Sequence, residues 1–223
     1  MKRPTMYRRR PAWEKTRATG RRLEDARRKS KRFLVVCEGE KTEPNYFKSL
    51  AATLEWDQIE VVVDPAGMNT QSLVERARAR KIEKNQLGEP SFDEVWVVFD
   101  KDSFKPAQFD NAIRSAEAAG MKAAWSNEAF ELWYVLHFES RITGMPREDY
   151  RRVLSGHLGQ RYKKNDTEMY DKLKKLGNQA KAIRYAKRLD MGRKDAKLSP
   201  STANPCTLVY KLVEKLQEFE SRN

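Results

Sequence analysis

Residues 33–47, FLVVCEGEKTEPNYF, decide the fold of this chain. The apolar run FLVVC has the length of a strand, and its unbroken hydrophobicity is typical of a strand buried on both faces of a parallel sheet. Gly39 suits a sharp exit from that strand. Thr42 can cap a helix that carries Glu43 and Pro44 in its first turn. The segment therefore predicts a strand, a tight turn and a helix, which form the first half of a βαβ unit.

The alternation of strands and helices continues to about residue 126. Further strands are predicted at IEVVVD (59–64), FDEVWVVFD (92–100) and MKAAWS (121–126), with helices from Asn69 or Thr70 to about Lys84 and over about 106–119. Connections of this kind are typical of βαβ crossovers. The pattern predicts an α/β fold with a central, mainly parallel four-stranded sheet flanked by helices.

The pattern changes after Asn127, where only helices are predicted. They cover roughly 128–139, 147–159, 166–177, 179–190 and 205–221, with a flexible loop between Met191 and Pro205. We therefore expect three parts: a basic N-terminal arm over residues 1–32, an α/β core over 33–126, and a helical C-terminal part over 127–223 that packs on the core.

The basic N-terminal arm holds most of the net charge. Residues 1–32 contain 14 Lys/Arg and three Asp/Glu, a net charge of +11 out of +13, so 31 basic and 29 acidic residues leave +2 for positions 33–223. Such an arm, with Arg8, Arg9 and Arg10 at its start, can contact nucleic-acid phosphates through counterion release. A solvated tail that aids solubility has the same composition, so both interpretations stay open.

Hydropathy and cysteine usage exclude several classes of protein. No apolar run has the length of a membrane span and the first residues lack the hydrophobic stretch of a signal peptide, so we expect a cytoplasmic protein without membrane contact. Cys37 lies within an apolar strand, and Cys206 has no nearby His or Cys. The sequence thus predicts neither a disulfide framework nor a zinc site.

Acidic residues follow the first and third predicted strands. Ligands of open α/β sheets bind at the carboxyl ends of the strands, because loops and helix N-termini converge there. Glu38 follows the first strand, and Asp100 and Asp102 follow the third. Their i, i+2 spacing puts both aspartates on one side of an extended backbone, where they could share Mg²⁺, which prefers oxygen ligands. Glu38 could be another ligand or the general base for an attacking water.

A cluster of carboxylates is electrostatically unfavourable without a cation, so the pattern implies a metal ion. The alternative is that each acid caps the helix that follows it, since Asp and Glu favour turns and the first turns of helices. That alternative applies most directly to Glu40 and Glu43.

Four segments together resemble a known family. They are FLVVCEGEKTEPNYF (33–47), VWVVFDKDSF (95–104), SNEAFELWYVLHF (126–138) and NPCTLVYKLVEKL (204–216). In these segments the chain is similar to the RloB family, which is related to abortive-infection proteins of the AbiL type. The resemblance runs over most of residues 33–216. It implies a Toprim-like core with a C-terminal helical extension, the core shared by topoisomerases, primases and some nucleases.

The resemblance also implies roles for individual residues. The Toprim pattern has a Glu-Gly pair after the first strand and an Asp-x-Asp after a later one, and Glu38-Gly39 and Asp100-Lys101-Asp102 occupy those positions. By resemblance, Glu38 is the general acid/base and the two aspartates hold Mg²⁺, for which Mn²⁺ can substitute. Members of the family are encoded beside an ATPase in anti-phage defence or near restriction-modification genes, which implies an ATPase partner.

Other positions have two interpretations each. Glu131 lies on an otherwise apolar helix, so it could extend the metal site or lie on the helix surface. Lys41, Lys163 and Lys164 could contact phosphate or be ordinary surface lysines. Four residues could hydrogen-bond to the ligands of the metal without binding it themselves: Glu40, Glu43, His137 and Asn204. For His137, a packed, hydrogen-bonded histidine is the simpler interpretation.

These observations lead to three functional hypotheses. The first is an Mg²⁺-dependent nuclease acting on DNA or RNA as the effector of a prokaryotic defence or restriction-linked system. The second is a nucleic-acid-binding or ATPase-partner subunit with a vestigial site, in which the basic arm is the functional feature. The third is a hydrolase of a small nucleotide messenger, which uses the same metal chemistry. The sequence leaves the oligomeric state open, including a homo-oligomer.

Overall fold

Five strands form one sheet in the order β2-β1-β3-β4-β5. The computed structural model describes residues 32–54, 59–63, 70–102 and 104–218. The strands are β1 (Phe33–Cys37), β2 (Ile59–Val63), β3 (Glu94–Asp100), β4 (Lys122–Asn127) and β5 (Cys206–Thr207). Strands β1 to β4 are parallel, and β5 pairs antiparallel with β4.

Helices cover both faces of this sheet. Their bounds are α1 (Thr42–Thr53), α2 (Thr70–Gln86), α3 (Pro106–Ala118), α4 (Glu131–Val135), α5 (Arg147–Leu158), α6 (Met169–Leu176), α7 (Gln179–Asp195) and α8 (Val209–Gln217). The crossovers through α1 and α2 run in opposite directions across the sheet, so right-handed connections place these two helices on opposite faces. Helix α3 packs against α2 and β4.

The core explains why these elements hold their positions. All five residues of β1 are buried, because neighbouring strands cover both of its edges and helices cover both of its faces. On the buried face of α1, the rings of Tyr46 and Phe47 pack edge-to-face against Phe130. The Tyr46 ring also packs edge-to-face against Trp133. These aromatic contacts, each worth about 0.5–1.5 kcal/mol beyond area burial, fix the start of α4 next to the start of α1.

The predicted α/β class is confirmed, with a four-stranded parallel sheet flanked by helices and a helical C-terminal part. The fifth strand was not predicted, because the pattern read 205–221 as one helix. Instead Thr207 pairs with Ser126, their hydroxyl groups lie 2.9 Å apart, and α8 begins only at Val209. The pairing covers the edge of β4, which would otherwise expose unpaired backbone groups.

Two helices also differ in extent from those predicted by the sequence. Helix α7 continues to Asp195, so part of the predicted loop is helical. The buried Asp190 forms ion pairs with Arg193 and Lys194 one turn later, which stabilises the additional turn. Helix α4 is shorter than the predicted 128–139, since turns replace the helix on both sides of Glu131–Val135.

The segment after α7 packs back onto the sheet. The side-chain amide of Asn127, the last residue of β4, donates to the carbonyls of Pro200 and Ser201 at 2.9 and 3.0 Å. The Ser201 hydroxyl and N–H in turn donate to Asp110 of α3. The end of β4 is therefore held by chain that lies far away in sequence.

The basic N-terminal arm lies outside the described residues, apart from Arg32. No helix in the described part of the chain has the length and hydrophobicity needed to cross a membrane.

Candidate functional site

A cavity of about 490 Å³ opens at the carboxyl ends of β1 and β3. Its walls are the turn after β1, the start of α1, the turn after β3, the first residue of α5 and Lys164. The lining residues are Glu38, Gly39, Glu40, Lys41, Thr42, Glu43, Asp100, Asp102, Phe104, Arg147 and Lys164. The three acids predicted to act together thus line one cavity at the predicted edge of the sheet. We call this space the acidic cavity.

A close backbone approach shapes the turn after β1. The Glu38 N–H donates to the Val98 carbonyl at 2.9 Å, which continues the pairing of β1 with β3. A Cβ atom at position 39 would overlap the Glu43 carboxylate, so glycine is the residue that leaves room for it. The Glu-Gly pair therefore does more than end a strand, because it lets Glu43 fold back against the turn.

The turn after β3 carries the two aspartates. Asp100 is buried, and the N–H groups of Lys101 and Asp102 donate to the carbonyls of Ser126 and Glu128 at 2.9 and 3.1 Å. Asp102 has a φ of 36°, a left-handed conformation that Asp tolerates better than most residues. The extended geometry expected at this position is therefore wrong, although both aspartates still line the acidic cavity.

Arg147 bridges the two aspartates, and the sequence analysis did not single it out. Its guanidinium donates to Asp102 Oδ2 at 2.7 Å and to Asp100 Oδ2 at 3.4 Å. Burial alone would lower the pKa of Arg147, but the two aspartates raise it above its ordinary value. One sequence signal could have found it: Arg147 is the first residue of α5, where the helix dipole disfavours a cation unless an anion compensates.

Two further carboxyl groups lie close to Asp100. Glu43 is 6% exposed and lines the acidic cavity, while Glu131 is 1% exposed and accepts a hydrogen bond from the Tyr162 hydroxyl at 3.2 Å. Burial raises the pKa of Tyr162, and the Glu131 charge raises it further, so the phenol stays protonated and donates. Glu131 is therefore neither a helix-surface residue nor a cap. Tyr162 carried no signal in the sequence pattern.

Burial and mutual repulsion perturb this group of acids. Burial raises the pKa of Asp100 well above its ordinary value, and the charges of Glu43 and Glu131 raise it further. Burial also raises the pKa of Glu43 to about 6, with Glu131 adding to the shift. Groups of this kind are typical of functional sites, where charge is concentrated despite its effect on stability.

The donor set of the acidic cavity suits a hard cation. Asp100 Oδ1 is buried without a hydrogen-bond partner among the described residues, and carboxylate oxygens are the ligands that Mg²⁺ prefers. In the same part of the chain, no three His, Cys, Asp or Glu side chains are gathered closely enough to hold an ion. Because Arg147 bridges Asp100 and Asp102, a cation shared by these aspartates would compete with its guanidinium.

Thr42 connects the acidic cavity to the segment before α6. The structure places the helix N-cap at Lys41 without a side-chain cap, so the predicted capping role of Thr42 is wrong. The Thr42 hydroxyl instead donates to the Lys164 carbonyl at 3.2 Å, and the Thr42 carbonyl accepts from Tyr134 at 3.2 Å. The first of these bonds holds the Lys164 backbone at the rim of the acidic cavity, so both predicted interpretations of Lys164, a phosphate contact and an ordinary surface lysine, stay open.

Of the remaining predicted residues, some line the acidic cavity and others lie elsewhere. Glu40 and Lys41 are exposed on the cavity wall, and Lys163 is exposed outside it. His137 lies away from the acidic cavity: its Nδ1 is 2.9 Å from the Trp133 carbonyl, and burial lowers its pKa to about 4. Asn204 lies against Gly144 and is not part of the cavity wall. Arg8, Arg9 and Arg10 lie outside the described residues.

Comparison with known proteins gives a family. No curated protein and no solved structure matches the chain. The family model described as RloB-like protein matches residues 33–216, which include every strand of the sheet and every residue that lines the acidic cavity. The chain therefore belongs to the family of RloB-like proteins.

Proposed function

We propose that this protein is an Mg²⁺-dependent nuclease of Toprim type that hydrolyses phosphodiester bonds of DNA or RNA. The observation that supports it best is Asp100: a buried carboxyl group at the carboxyl end of a central strand, with one oxygen that has no hydrogen-bond partner among the described residues and with its pKa raised by burial and by two neighbouring acids. Such a group is poorly explained by stability, because the 3.4 Å contact with Arg147 offsets only part of the free energy needed to bury a charged carboxylate.

Two residues of the acidic cavity, Asp100 and Asp102, are the proposed ligands of the cation, and waters and substrate phosphate oxygens would complete its coordination. Glu43 lines the same wall and would contribute a third carboxylate only after its side chain moves towards the aspartates. Mn²⁺ would substitute for Mg²⁺, since both take oxygen ligands. When bound, the cation supplies Lewis-acid stabilisation of charge on the scissile phosphate.

The other lining residues would act on the substrate directly. Glu38 would take a proton from the attacking water or return one to the leaving oxygen, because it lies on the cavity wall at the end of β1. Lys164 and Lys41 would stabilise negative charge that develops on the phosphate. Arg147, once displaced from the aspartates, could do the same.

The biological setting is part of the proposal. We infer that the protein is a cytoplasmic effector of a prokaryotic defence or restriction-linked system and works with an ATPase encoded alongside. Membership of the RloB-like family supports this setting.

The test compares matched variants in a cleavage assay. Purified full-length protein is incubated with DNA, RNA and tRNA in Mg²⁺ or Mn²⁺, alone and with its partner ATPase. Asp100→Asn and Asp102→Asn should each reduce cleavage at least a hundredfold, as expected for loss of a metal ligand. The control Asp195→Asn removes the same charge from an exposed position at the end of α7. Activity that survives in an Asp100→Asn, Asp102→Asn double variant contradicts the proposal.

One observation favours the second candidate, a nucleic-acid-binding or ATPase-partner subunit with a vestigial site. Arg147 already compensates both aspartates, as would be expected of a site that no longer takes a cation. Calorimetric titration with Mg²⁺ and Mn²⁺ discriminates the two. Binding that Asp100→Asn abolishes supports the nuclease, whereas no binding by the wild-type protein supports the vestigial site.

A further inference from the structure

A second cavity, of about 320 Å³, lies between α5 and the segment that follows it. Lys164 lines both this space and the acidic cavity, so the two adjoin at its side chain. We call the second space the basic cleft, because four basic side chains (Arg151, Arg152, Arg161 and Lys164) and one carboxylate (Glu148) line it, a net charge of +3. A concentration of positive charge thus borders a cavity with excess negative charge.

The basic residues of the cleft differ in how far they are neutralised. Arg151 pairs with Glu148 at 3.0 Å, and Arg152 pairs with Asp149 at 3.0 Å. Arg161 and Lys164, in contrast, form no ion pair with any residue that the structure describes. The Nε of Arg151 is buried and also lacks an acceptor within that part of the chain. The cleft therefore keeps cationic donors that an anion could engage.

Hydrogen bonds fix the backbone that carries the two unpaired cations. The Tyr162 N–H donates to Ser155 Oγ at 2.9 Å, and the Tyr162 hydroxyl donates to Glu131 at 3.2 Å. At the other end, Thr42 Oγ1 donates to the Lys164 carbonyl at 3.2 Å. The same contacts that organise the buried acids thus set the positions of Arg161 and Lys164. A preorganised arrangement of this kind reduces the entropy lost on binding a ligand.

We propose that the basic cleft binds a backbone phosphate of a nucleic-acid strand whose scissile phosphate lies in the acidic cavity. This inference rests on the proposed nuclease function and names its substrate as a nucleic-acid strand. Tyr162 is 7% exposed and offers little ring face for base stacking. The contact is therefore to phosphate and independent of base sequence.

The position of α5 along both cavities gives the bound nucleic-acid strand a direction. Arg147 and Arg151 are four residues apart, about 6 Å along the axis, and lie on neighbouring positions of one helix face. Arg147 contacts the aspartates, and Arg151 lines the basic cleft. A strand that passes from the acidic cavity to the basic cleft would therefore follow α5 from its N-terminal end.

The first test measures binding without cleavage. Full-length protein that carries Asp100→Asn is titrated in EDTA with fluorescent single-stranded DNA and RNA oligonucleotides, and anisotropy is recorded at several salt concentrations. Adding Arg161→Gln should weaken binding several-fold and reduce the slope of log K against log salt by about 0.7, the value for one single-strand phosphate contact. Adding Arg114→Gln, on an exposed position of α3 that lines neither cavity, should leave the slope unchanged.

The oligonucleotides also separate the possible anionic ligands. Equal effects of Arg161→Gln on DNA and RNA indicate recognition of the shared phosphate backbone, as proposed. A polyglutamate peptide of equal charge should compete poorly. If it competes as well as the oligonucleotide and with the same dependence on Arg161, the cleft binds acidic protein segments and the proposal is wrong.

The second test measures hydrolysis with the catalytic residues intact. The protein is assayed with an oligonucleotide and with bis(p-nitrophenyl) phosphate, which contains a single phosphodiester. Arg161→Gln should lower kcat/KM for the oligonucleotide and leave that for the small substrate unchanged. Equal losses on both substrates would place Arg161 in the reaction centre and overturn the flanking role.

The two proposals can fail separately. If Arg161→Gln and Arg114→Gln weaken oligonucleotide binding equally, the effect is one of net charge and the basic cleft is not a site, whatever the cleavage assays show. If no nucleic acid is cleaved but Arg161→Gln still weakens oligonucleotide binding more than Arg114→Gln does, the nuclease proposal fails and the basic cleft remains an anion-binding site.

Discussion

At the scale of single residues, the dominant feature is that burial raises the pKa of two carboxyl groups, Asp100 and Glu43, which lie beside a third buried acid, Glu131. Asp100, Glu43 and Glu131 are each less than a tenth exposed, and each raises the electrostatic cost of charging its neighbours. A folded protein that carries such a group stabilises the protonated form of some of its members. Their protonation should therefore be visible in the dependence of stability on pH.

Glu43→Gln should remove one part of that dependence. The pKa of Glu43 rises from 4.5 in the unfolded chain to about 6 in the folded protein, so the proton stabilises the fold fully below pH 4.5 and this contribution is lost as pH rises through 6. In metal-free buffer, the wild-type free energy of unfolding should fall by about 2 kcal/mol relative to Glu43→Gln over this window. Urea denaturation at a series of pH values measures it.

The comparison with Glu43→Gln isolates one group, because other titrating residues act equally on both proteins. Glu117→Gln, at an exposed position of α3, is the matched control and should show a difference that is independent of pH. If the difference in free energy of unfolding between the wild type and Glu43→Gln is also independent of pH, Glu43 ionises normally in the folded protein.

Arg147→Gln should have opposite effects on stability and on cation binding. Without a cation, Asp100 and Asp102 lose their bridging partner, and the fold should be destabilised by about 2 kcal/mol. With the competitor removed, Mg²⁺ should bind more tightly and raise the melting temperature more than in the wild type. Thermal unfolding with and without Mg²⁺ measures both effects. A variant that is destabilised yet insensitive to Mg²⁺ would support the vestigial site.

Individual site residues were predictable where local sequence carried the signal. Glu38, Asp100 and Asp102 follow apolar strands directly, so their place at one edge of a parallel sheet could be inferred. Arg147 and Tyr162 reach the same region from distant segments. A cation at the start of a helix predicts an anionic neighbour for Arg147 without saying which one, and Tyr162 has no local signal. Glu131 stood out only as a charge on an apolar helix, which left its burial undecided.

At the scale of elements, the turn between β1 and α1 depends on one glycine. Gly39→Ala would place a Cβ atom against the Glu43 carboxylate, so either the turn or the side chain must move. We expect a loss of about 1–3 kcal/mol in the free energy of unfolding, as for other overpacked sites, together with loss of cleavage activity. Urea denaturation and the cleavage assay measure the two effects.

A second glycine provides the control for this substitution. Gly156 lies within α5, and a Cβ atom there would meet nothing within 4 Å. Gly156→Ala should stabilise the protein by about 0.5–1 kcal/mol, because alanine favours a helix interior. If Gly39→Ala is as harmless as Gly156→Ala, the close approach of Glu43 does not constrain the turn.

Most elements were predictable from hydrophobic runs and turn residues, and the exceptions have physical causes. Strand β5 has two residues, too few for any periodic pattern, and it forms because the edge of β4 offers backbone partners. The last turn of α7 depends on the tertiary burial of Asp190 with its basic partners. Long-range contacts decide β5, whereas the last turn of α7 combines a long-range hydrogen bond from Tyr210 to Asp190 with the local pairs of Asp190 with Arg193 and Lys194.

At the scale of the whole molecule, charge is divided between separate regions. The basic N-terminal arm carries +11, residues 33–223 carry +2, and within that second part a cavity rich in carboxylates adjoins a cleft rich in cations. A polyanion would therefore be attracted by the arm and the cleft and resisted by the acidic cavity unless a cation is present. Affinity for a nucleic acid should therefore depend on the arm and the basic cleft, whereas its hydrolysis should depend on the acidic cavity.

Deleting residues 1–31 tests this separation. If the arm contacts phosphates, the shortened protein should bind oligonucleotides more weakly and with a smaller salt slope, because those contacts would be lost. Its hydrolysis of bis(p-nitrophenyl) phosphate should keep the wild-type kcat/KM and remain dependent on Mg²⁺. Anisotropy and steady-state kinetics measure the two properties. Complete loss of metal-dependent hydrolysis on deletion would show that the arm belongs to the reaction centre.

The pairing of β5 with β4 has a consequence for the order in which the protein is made. A ribosome releases the chain from its N-terminus, so all the acids of the acidic cavity emerge well before Cys206 and Thr207. Until those residues arrive, β4 keeps an open edge and Asn127 lacks the carbonyls that hold it. A product of interrupted translation would thus contain every acidic residue of the site without the completed sheet. For a protein proposed to cut nucleic acid, we expect unfinished chains to have little activity, because the Ser126 and Glu128 carbonyls that bind the aspartate turn lie at or beside the incomplete end of β4.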